Sequence, residues 1–458
     1  MRVIICGAGQ VGYNIARYLA HEENDVTVID HSPELTSKIS DSLDVKAFTG
    51  FASHPNVLAR AGADDADMLI AVTQADEVNI VACQVAHSLF DVTTKIARIR
   101  QVGYLEDKWA NLYSRDHVPI DVIISPELEI ANDIARRLRA PGSFDMISLA
   151  DDKVKLMGIR CEDDCPVVNT PLKQLTQLFP DLNIIVVGIV RDNNPIVPSP
   201  DDYMLPGDEV YLIVDSQHMT RTMAAFGHEE TEANRVVIFG GGNIGESLAC
   251  QIESNYPSVN LKVIEDNKFR AEQVARTLKR SVVLEGSVLD MEILEEANMA
   301  ATETVVAVTN DDETNIMSSL LAKRMGGGRA ITLINRETYM PLTPSLGIDV
   351  VVSPQSITVS SILRHVRRGR IHSAHTIRDG FGEIIEAEAM ETTSLVGIPL
   401  KETEIPEHVL VGAIVRANEV IFPRGETIIQ ANDRVILFAA AEAVKDVEKI
   451  FSVGLEYF

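Results

Sequence analysis

The chain matches itself at a shift close to half of its 458 residues, and this constrains its fold more than any other feature. Val3-Ile4-Ile5-Cys6-Gly7-Ala8-Gly9-Gln10-Val11-Gly12 returns as Val236-Val237-Ile238-Phe239-Gly240-Gly241-Gly242-Asn243-Ile244-Gly245, a shift of 236 − 3 = 233. Val72-Thr73, Asp76-Glu77 and Asn79 return as Val308-Thr309, Asp312-Glu313 and Asn315, and Ser125-Pro126 returns as Ser353-Pro354. Further on, Thr170-Pro171-Leu172-Lys173 answers Ile398-Pro399-Leu400-Lys401, and Val187-Gly188-Ile189-Val190-Arg191 answers Val411-Gly412-Ala413-Ile414-Val415-Arg416. Two composite units in tandem account for all of these matches.

Each unit divides again. Residues 1–125 alternate short β-rich runs (3–6, 26–29, 68–72, 95–99, 120–124) with helical segments at 11–21 and 77–89, the pattern of a parallel sheet covered by helices. From Pro126, apolar residues at Leu128, Ala131, Ile134, Ala135 and Leu138 keep a helical period, and 126–143 reads as a connector helix. Residues 144–227 carry strands at 153–159, 184–190 and 209–214 between Pro- and Asp-rich turns, a small α+β module. After a polar linker from His228 to Asn234 the order repeats, with a doubly wound domain at 235–352, a connector helix at 353–370 and a second α+β module at 371–458.

The glycines carry the chemistry. Gly7, Gly9 and Gly12 stand where a strand opens into a helix, and Asp30 follows 18 residues after Gly12, behind Val26-Thr27-Val28-Ile29. That is the context of a dinucleotide fingerprint: the first glycine makes the turn, the second admits a pyrophosphate and the third lets helix and strand close. The fold class expected is therefore α/β, with two doubly wound, Rossmann-like nucleotide-binding domains, each followed by a small α+β module. A carboxylate at Asp30 accepts hydrogen bonds from ribose hydroxyls and repels a 2′-phosphate, which favours NAD, ATP or ADP over NADP. In the second copy Gly240, Gly242 and Gly245 precede Glu265, with Asp266 expected to point outward. Thr73 and Gln74 lie on the carboxyl edge of the sheet, as ribose or phosphate ligands or as a turn cap. Arg98 and Arg100 alternate with Ile99, as cations for a terminal phosphate or as ion-pair partners. Arg336 answers Arg100 but Ile334 answers Arg98, which makes the second site less basic. The candidate nucleotide contacts are Gly7, Ala8, Gly9, Gln10, Val11, Gly12, Asp30, Thr49, Gly50, Thr73, Gln74, Arg98 and Arg100 in the first copy. In the second they are Gly240, Gly241, Gly242, Asn243, Ile244, Gly245, Glu265, Gly286, Thr309 and Arg336.

Composition removes other classes. With 41 basic against 67 acidic side chains the formal charge is −26, which disfavours a nucleic-acid partner. Apolar runs such as Ile184 to Val190 are far shorter than the roughly 18 residues a membrane span needs. The N-terminus lacks the pattern of a secretory signal, and the five cysteines (Cys6, Cys83, Cys161, Cys165, Cys250) are sparse, so a cytoplasmic location is expected. Cys161 and Cys165 have no second Cys or His pair at zinc-finger spacing, and no metal site is expected. His372 and His375 with Arg364, Arg367, Arg368 and Arg370 form a dense basic run, the solvated end of the second connector or a patch facing a partner. Trp109 reads as a packing or interface residue. No Ser-His-Asp order, HExxH or Walker glycine–lysine pair appears, and each nucleotide domain is followed by only a small module, so no catalytic residue is assigned.

The two glycine strands with Asp30 and Glu265, the Ala71-Val72-Thr73, Asp76-Glu77, Asn79 segment, Ala97-Arg98-Ile99-Arg100 and the Pro-Leu-Lys and Pro-Gly-Asp turns of the small module resemble the RCK (KTN) domains that regulate potassium channels and transporters. The tandem arrangement is similar to that of peripheral regulatory subunits of bacterial Trk-type potassium-uptake systems. The resemblance implies binding of NAD(H), ATP or ADP, assembly into a ring, expected as a homotetramer, and gating of an integral membrane potassium transporter from the inner face of the cell membrane, without enzymatic activity. The alternatives are an NAD-dependent oxidoreductase and a nucleotide-dependent regulator of another partner.

Overall fold

The computed structural model describes residues 1–21, 24–114, 117–140, 142–163, 165–178, 183–192, 194–228, 233–366, 371–377 and 380–451. Most of the expected linker, residues 229–232, lies outside this set, as do Arg367, Arg368 and Arg370 of the basic run. By internal contacts the chain divides into two compact units, Met1–Ile130 with Ser353–Val366, and Ala131–Val352 with Arg367–Phe458.

In the first unit, β1 (Arg2–Cys6), α1 (Gln10–His21), β2 (Asp25–Asp30), α2 (Pro33–Ser42), β3 (Lys46–Thr49), α3 (Pro55–Arg60), β4 (Met68–Ala71), α4 (Asp76–Phe90), β5 (Thr94–Arg98) and β6 (Val122–Ile124) follow in order. The strands make one parallel sheet ordered β3-β2-β1-β4-β5-β6. Val3 to Cys6 and Met68 to Ala71 are all buried, as expected of strands covered on both faces. The order reverses between β1 and β4, and the crevice above their carboxyl ends is where such sheets hold ligands. The helix α5 (Pro126–Leu138) follows and ends five residues before the expected limit at 143.

The second unit holds the remaining sheets. The strands and helices β7 (Ser143–Leu149), β8 (Val154–Arg160), α6 (Leu172–Leu178), β9 (Ile184–Arg191), β10 (Asn194–Ile196), β11 (Glu209–Asp215) and α7 (Met219–Ala225) form an antiparallel module ordered β10-β9-β11-β8-β7. The second nucleotide domain comprises β12 (Arg235–Phe239), α8 (Asn243–Asn255), β13 (Asn260–Glu265), α9 (Lys268–Thr277), β14 (Val282–Glu285), α10 (Met291–Glu296), β15 (Thr304–Ala307), α11 (Asp312–Arg324), β16 (Arg329–Leu333), α12 (Thr343–Leu346) and β17 (Val350–Val352). Its parallel order, β14-β13-β12-β15-β16-β17, repeats that of the first. After α13 (Pro354–Val366) come β18 (Ile371–Ile377), β19 (Gly382–Glu388), β20 (Val409–Arg416), β21 (Glu419–Ile421), β22 (Arg434–Ala440) and α14 (Val444–Phe451), with sheet order β18-β19-β22-β20-β21.

The repeated module motifs have structural reasons. Arg191 and Arg416 each hold a buried aspartate with two nitrogens, Asp208 at 3.0 and 2.8 Å and Asp433 at 2.8 and 2.7 Å. The residue before each aspartate is left-handed, Gly207 at φ 88° and Asn432 at φ 68°. The two antiparallel sheets share one apolar core, in which Leu156, Val187 and Ile213 meet Ile384, Ala413 and Phe438. Gly412 is small because a Cβ there would stand 2.0 Å from Ile213 Cδ1, and Gly188 because its Cβ would stand 2.8 Å from Phe381.

Candidate functional site

The two glycine turns are built alike. Gly7 has φ 116° and Gly240 φ 100°, the conformation that lets each strand break into its helix. A Cβ on Gly12 would lie 1.8 Å from the Gly7 carbonyl oxygen, and one on Gly245 would lie 1.9 Å from that of Gly240, so only glycine lets α1 and α8 seat against their turns. Around Gly9 and Gly242 a Cβ would meet nothing within 4 Å. These middle glycines face open space of the kind a phosphate can enter, at the N-termini of α1 and α8 where the helix dipole favours anions. Gln10, Val11, Asn243 and Ile244 stand in the first turns of those helices.

Each turn is clamped by the carboxylate at the end of its second strand. Asp30 is buried; its Oδ2 accepts from the Ala8 N–H at 2.7 Å and its Oδ1 from Ser32 N at 2.8 Å. Glu265 does the same, Oε2 with Gly241 N at 2.6 Å and Oε1 with Asn267 N at 3.0 Å. The longer side chain goes with the smaller turn residue: a Cβ at Gly241 would be 3.2 Å from Glu265 Oε2, whereas Ala8 carries its methyl beside the shorter aspartate. Asp266 is exposed. Gly50 N donates to the Asp30 carbonyl at 2.8 Å, and Gly286 N to that of Glu265 at 2.9 Å. Thr49 bonds Thr36 through their hydroxyls at 2.8 Å.

Across the crevice, Thr73 and Thr309 are held by asparagines that the repeat preserved but that sequence reasoning left without a role. Asn79 Oδ1 accepts from Thr73 N at 2.9 Å and Oγ1 at 2.7 Å, and its amide reaches the Arg98 carbonyl at 2.9 Å. Asn315 repeats this with Thr309 and with the Leu333 carbonyl. Thr73 is thus bonded within its own turn and Thr309 is held in the same way, while Gln74 is exposed. Asp76 and Asp312, also buried, brace the loops beyond β5 and β16 by accepting from Arg100 N and Gln101 N, and from Asn335 N and Arg336 N. Their recurrence beside the asparagines was the signal that could have marked them.

The two arginines of the first copy part company. Arg98 donates to the Thr73 carbonyl at 2.8 Å and leaves its buried Nε without a partner; burial, then the neighbouring Arg100, lowers its pKa. Arg100 instead pairs through Nε with buried Glu127 at 2.7 Å. In the second copy Arg336 is exposed and pairs with Glu313 at 2.7 Å, and Ile334 is fully buried. The second turn is contacted by Arg270 of α9, whose Nε donates to the Gly241 carbonyl at 2.7 Å and whose Nη2 pairs with Glu246. That contact is made by the fold and has no counterpart in spacing. An orphaned arginine N–H, two open glycine cradles and a buried carboxylate at each turn fit an adenosine nucleotide.

Elsewhere, His372 Nε2 lies 3.5 Å from Glu388, and Trp109 is half exposed under the Lys108 ammonium. Among the described residues no group of three His, Cys, Asp or Glu is placed to hold a metal, and no helix is long and apolar enough to cross a membrane.

The TrkA-N domain family matches residues 3–126 and 236–354, and the TrkA-C domain family residues 156–227 and 384–452. A protein of Azorhizobium caulinodans called Trk system potassium uptake protein TrkA is 50% identical over 458 residues, covering 100% of both chains. Proteins of the same name from Halomonas elongata and Vibrio alginolyticus are 41% and 39% identical, over 100% and 98% of each chain. Among solved structures, the GsuK RCK domain superposes with a TM-score of 0.60 at 16% identity, over 98% of this chain and 94% of that one. The GsuK channel bound to NAD also gives 0.60, over 98% of this chain and 78% of the other.

Proposed function

This chain belongs to the TrkA family, as two TrkA-N and TrkA-C pairs in tandem, and from that premise we propose that it senses nucleotides and gates an integral potassium transporter from the cytoplasmic face of the membrane. The observation that carries this reading is the pair of glycine cradles, each braced by a buried carboxylate, on two sheets of one topology.

In the first pocket Gly7 to Gly12 receive the phosphates, Asp30 takes the ribose hydroxyls with its remaining lone pairs, and Arg98 turns its unpartnered N–H to the outermost phosphate. In the second, Gly240 to Gly245 and Glu265 play the same parts beside Thr309. The nucleotide, NAD(H), ATP or ADP, supplies charge and contacts and undergoes no reaction. Four chains would assemble as a ring of eight nucleotide domains. A ligand moves such an assembly only by its unequal affinity for two arrangements, and a shift from 1:99 to 99:1 needs about 5.5 kcal/mol in total. Spread over four identical sites that is roughly 1.4 kcal/mol each, about the contribution of one charge-assisted hydrogen bond. One phosphate contact made in one arrangement and lost in the other is therefore sufficient.

The test is potassium flux into liposomes that hold the Trk-type transporter with and without this protein, titrated with ATP, ADP, NAD and NADH. Flux should depend on both protein and nucleotide identity; flux indifferent to either rejects the gating role. Steady oxidation of NADH with a small substrate would favour an oxidoreductase instead.

A further inference from the structure

Three aromatic rings gather on the surface beside Asp30 and belong to none of the contacts above. His31 directly follows the carboxylate, with Nδ1 3.2 Å from Asp30 Oδ1, and stacks on Phe51 at 5.7 Å between centroids and 20° between planes. Phe51 follows Thr49-Gly50 at the end of β3 and meets His54 at 5.4 Å. Phe51 is 53% exposed and the His31 side chain 69%, so both rings present apolar surface to solvent.

The tandem repeat supplies an internal control on whether the fold needs these rings. The second domain has the same strand order, the same clamped turn and the same bond from its glycine (Gly286) to the carboxylate residue's carbonyl. At the positions of His31, Phe51 and His54 it carries Asp266, Ser287 and Asp290. Asp290 caps α10 through the N–H of Glu292, a role that His54 does not perform for α3. The sheet therefore forms without the rings, and in the first copy α3 has no side-chain cap where they stand.

We infer that His31, Phe51 and His54 form a stacking shelf for the purine base of the nucleotide in the first pocket, with Phe51 as the central ring. The inference rests on the nucleotide reading above and names the base-recognising subsite within it. A ligand whose ribose lies on Asp30 and whose phosphates lie over Gly9 extends its base away from the turn, along the edge where these rings lie. Stacking on an aromatic face needs no hydrogen-bond partner and is tolerant of ring substituents.

The experiment uses the full chain and ADP. Phe51→Ala should weaken ADP binding to the first pocket about tenfold in calorimetry. Phe51→Trp should keep it, and in a Trp109→Phe background its emission should be quenched as ADP is added. Asp30→Ala serves as the reference for the pocket itself. Wild-type affinity in Phe51→Ala, with binding lost in Asp30→Ala, overturns the shelf and leaves the nucleotide reading standing. No ADP binding by the wild-type chain overturns both. Unquenched emission from a Phe51→Trp chain that binds ADP also overturns the shelf.

Discussion

The turn residue and the clamping carboxylate vary together between the two copies, alanine with aspartate and glycine with glutamate, and their exchange should be strongly non-additive. In the first copy Asp30 Oδ2 reaches the Ala8 N–H at 2.7 Å. Glutamate at position 30 would add a methylene in the same buried space. In the second copy the glutamate fits because residue 241 has no side chain: a Cβ there would lie 3.2 Å from Oε2, 3.3 Å from the Glu265 Cβ and 3.3 Å from Val274. All three contacts are tighter than ordinary van der Waals approach, and overpacking of this kind costs about 1–3 kcal/mol. Asp30→Glu alone should therefore displace the carboxylate from the turn and weaken ADP binding about tenfold. Ala8→Gly alone should change it by less than about threefold, since Gly241 shows that glycine holds the turn. The double variant should recover most of the loss, a coupling of about 1 kcal/mol between touching residues. Isothermal calorimetry with ADP on the four chains measures it, and losses that simply add would refute the steric argument.

Asp30→Ala should cost about 1.5–3 kcal/mol in nucleotide binding, the scale of a charged acceptor, and the wild-type protein should bind NADP far more weakly than NAD; equal NAD and NADP affinities would show that the carboxylate does not face the ribose. Arg98→Gln should reduce ATP affinity more than NAD affinity, because the Arg98 guanidinium keeps an N–H without a partner, while Arg100→Gln should do less, since Arg100 is held by Glu127; competition binding of the two ligands decides. Burial opposes ionisation of Glu253, but donors at Lys279 N, Arg280 N and Ser281 N and Oγ outweigh it and hold the carboxyl down to about 2. A pKa depressed in the folded state stabilises above the ordinary carboxylate range and is lost as the pH falls towards 2. Glu253→Gln should thus destabilise by about 1 kcal/mol at pH 7 and by less at pH 3, read as melting temperatures, and equal losses would show that charge is not the cause.

What could be read from the sequence was whatever is encoded locally. The glycine spacing and Asp30 were visible because the turn, the phosphate approach and the helix contact each need a glycine at a set distance. Strands β1 and β4 showed as unbroken apolar runs, and β2 as one interrupted by Thr27. Less visible were β3, whose residues Lys46 to Thr49 are exposed or half-buried, and α2, with only Thr36 and Ile39 buried, since neither has a strong periodic signal. Strand β7, Ser-Phe-Asp-Met-Ile-Ser-Leu, was overlooked because its buried positions fall at every third residue. Arg270 and the ring shelf could not be read at all, because each is a contact between elements rather than a pattern within one.

The connector helices show the same limit and lead to a testable consequence. The repeat placed α13 after the second nucleotide domain but did not give its partner. Ile362, Leu363 and Val366 are buried in the core of the first nucleotide domain, with Ile15 and Leu19 of α1, although they lie more than 340 residues away in the chain. The end of α5 goes the opposite way: Arg329 of β16 donates to the carbonyls of Arg137 at 2.9 Å, Ala140 at 3.4 Å and Ser143, taking up oxygens that a helix end leaves open. Neither nucleotide domain is therefore completed by its own half. Leu363→Ala removes a nearly fully buried side chain and should cost about 2–4 kcal/mol. If the packing is as described, that loss falls on the first domain, so ADP bound at the Asp30 pocket should offset it in thermal unfolding, and amide exchange should accelerate in α1. Faster exchange confined to residues 371–451, with α1 unchanged, would refute the exchange of connectors.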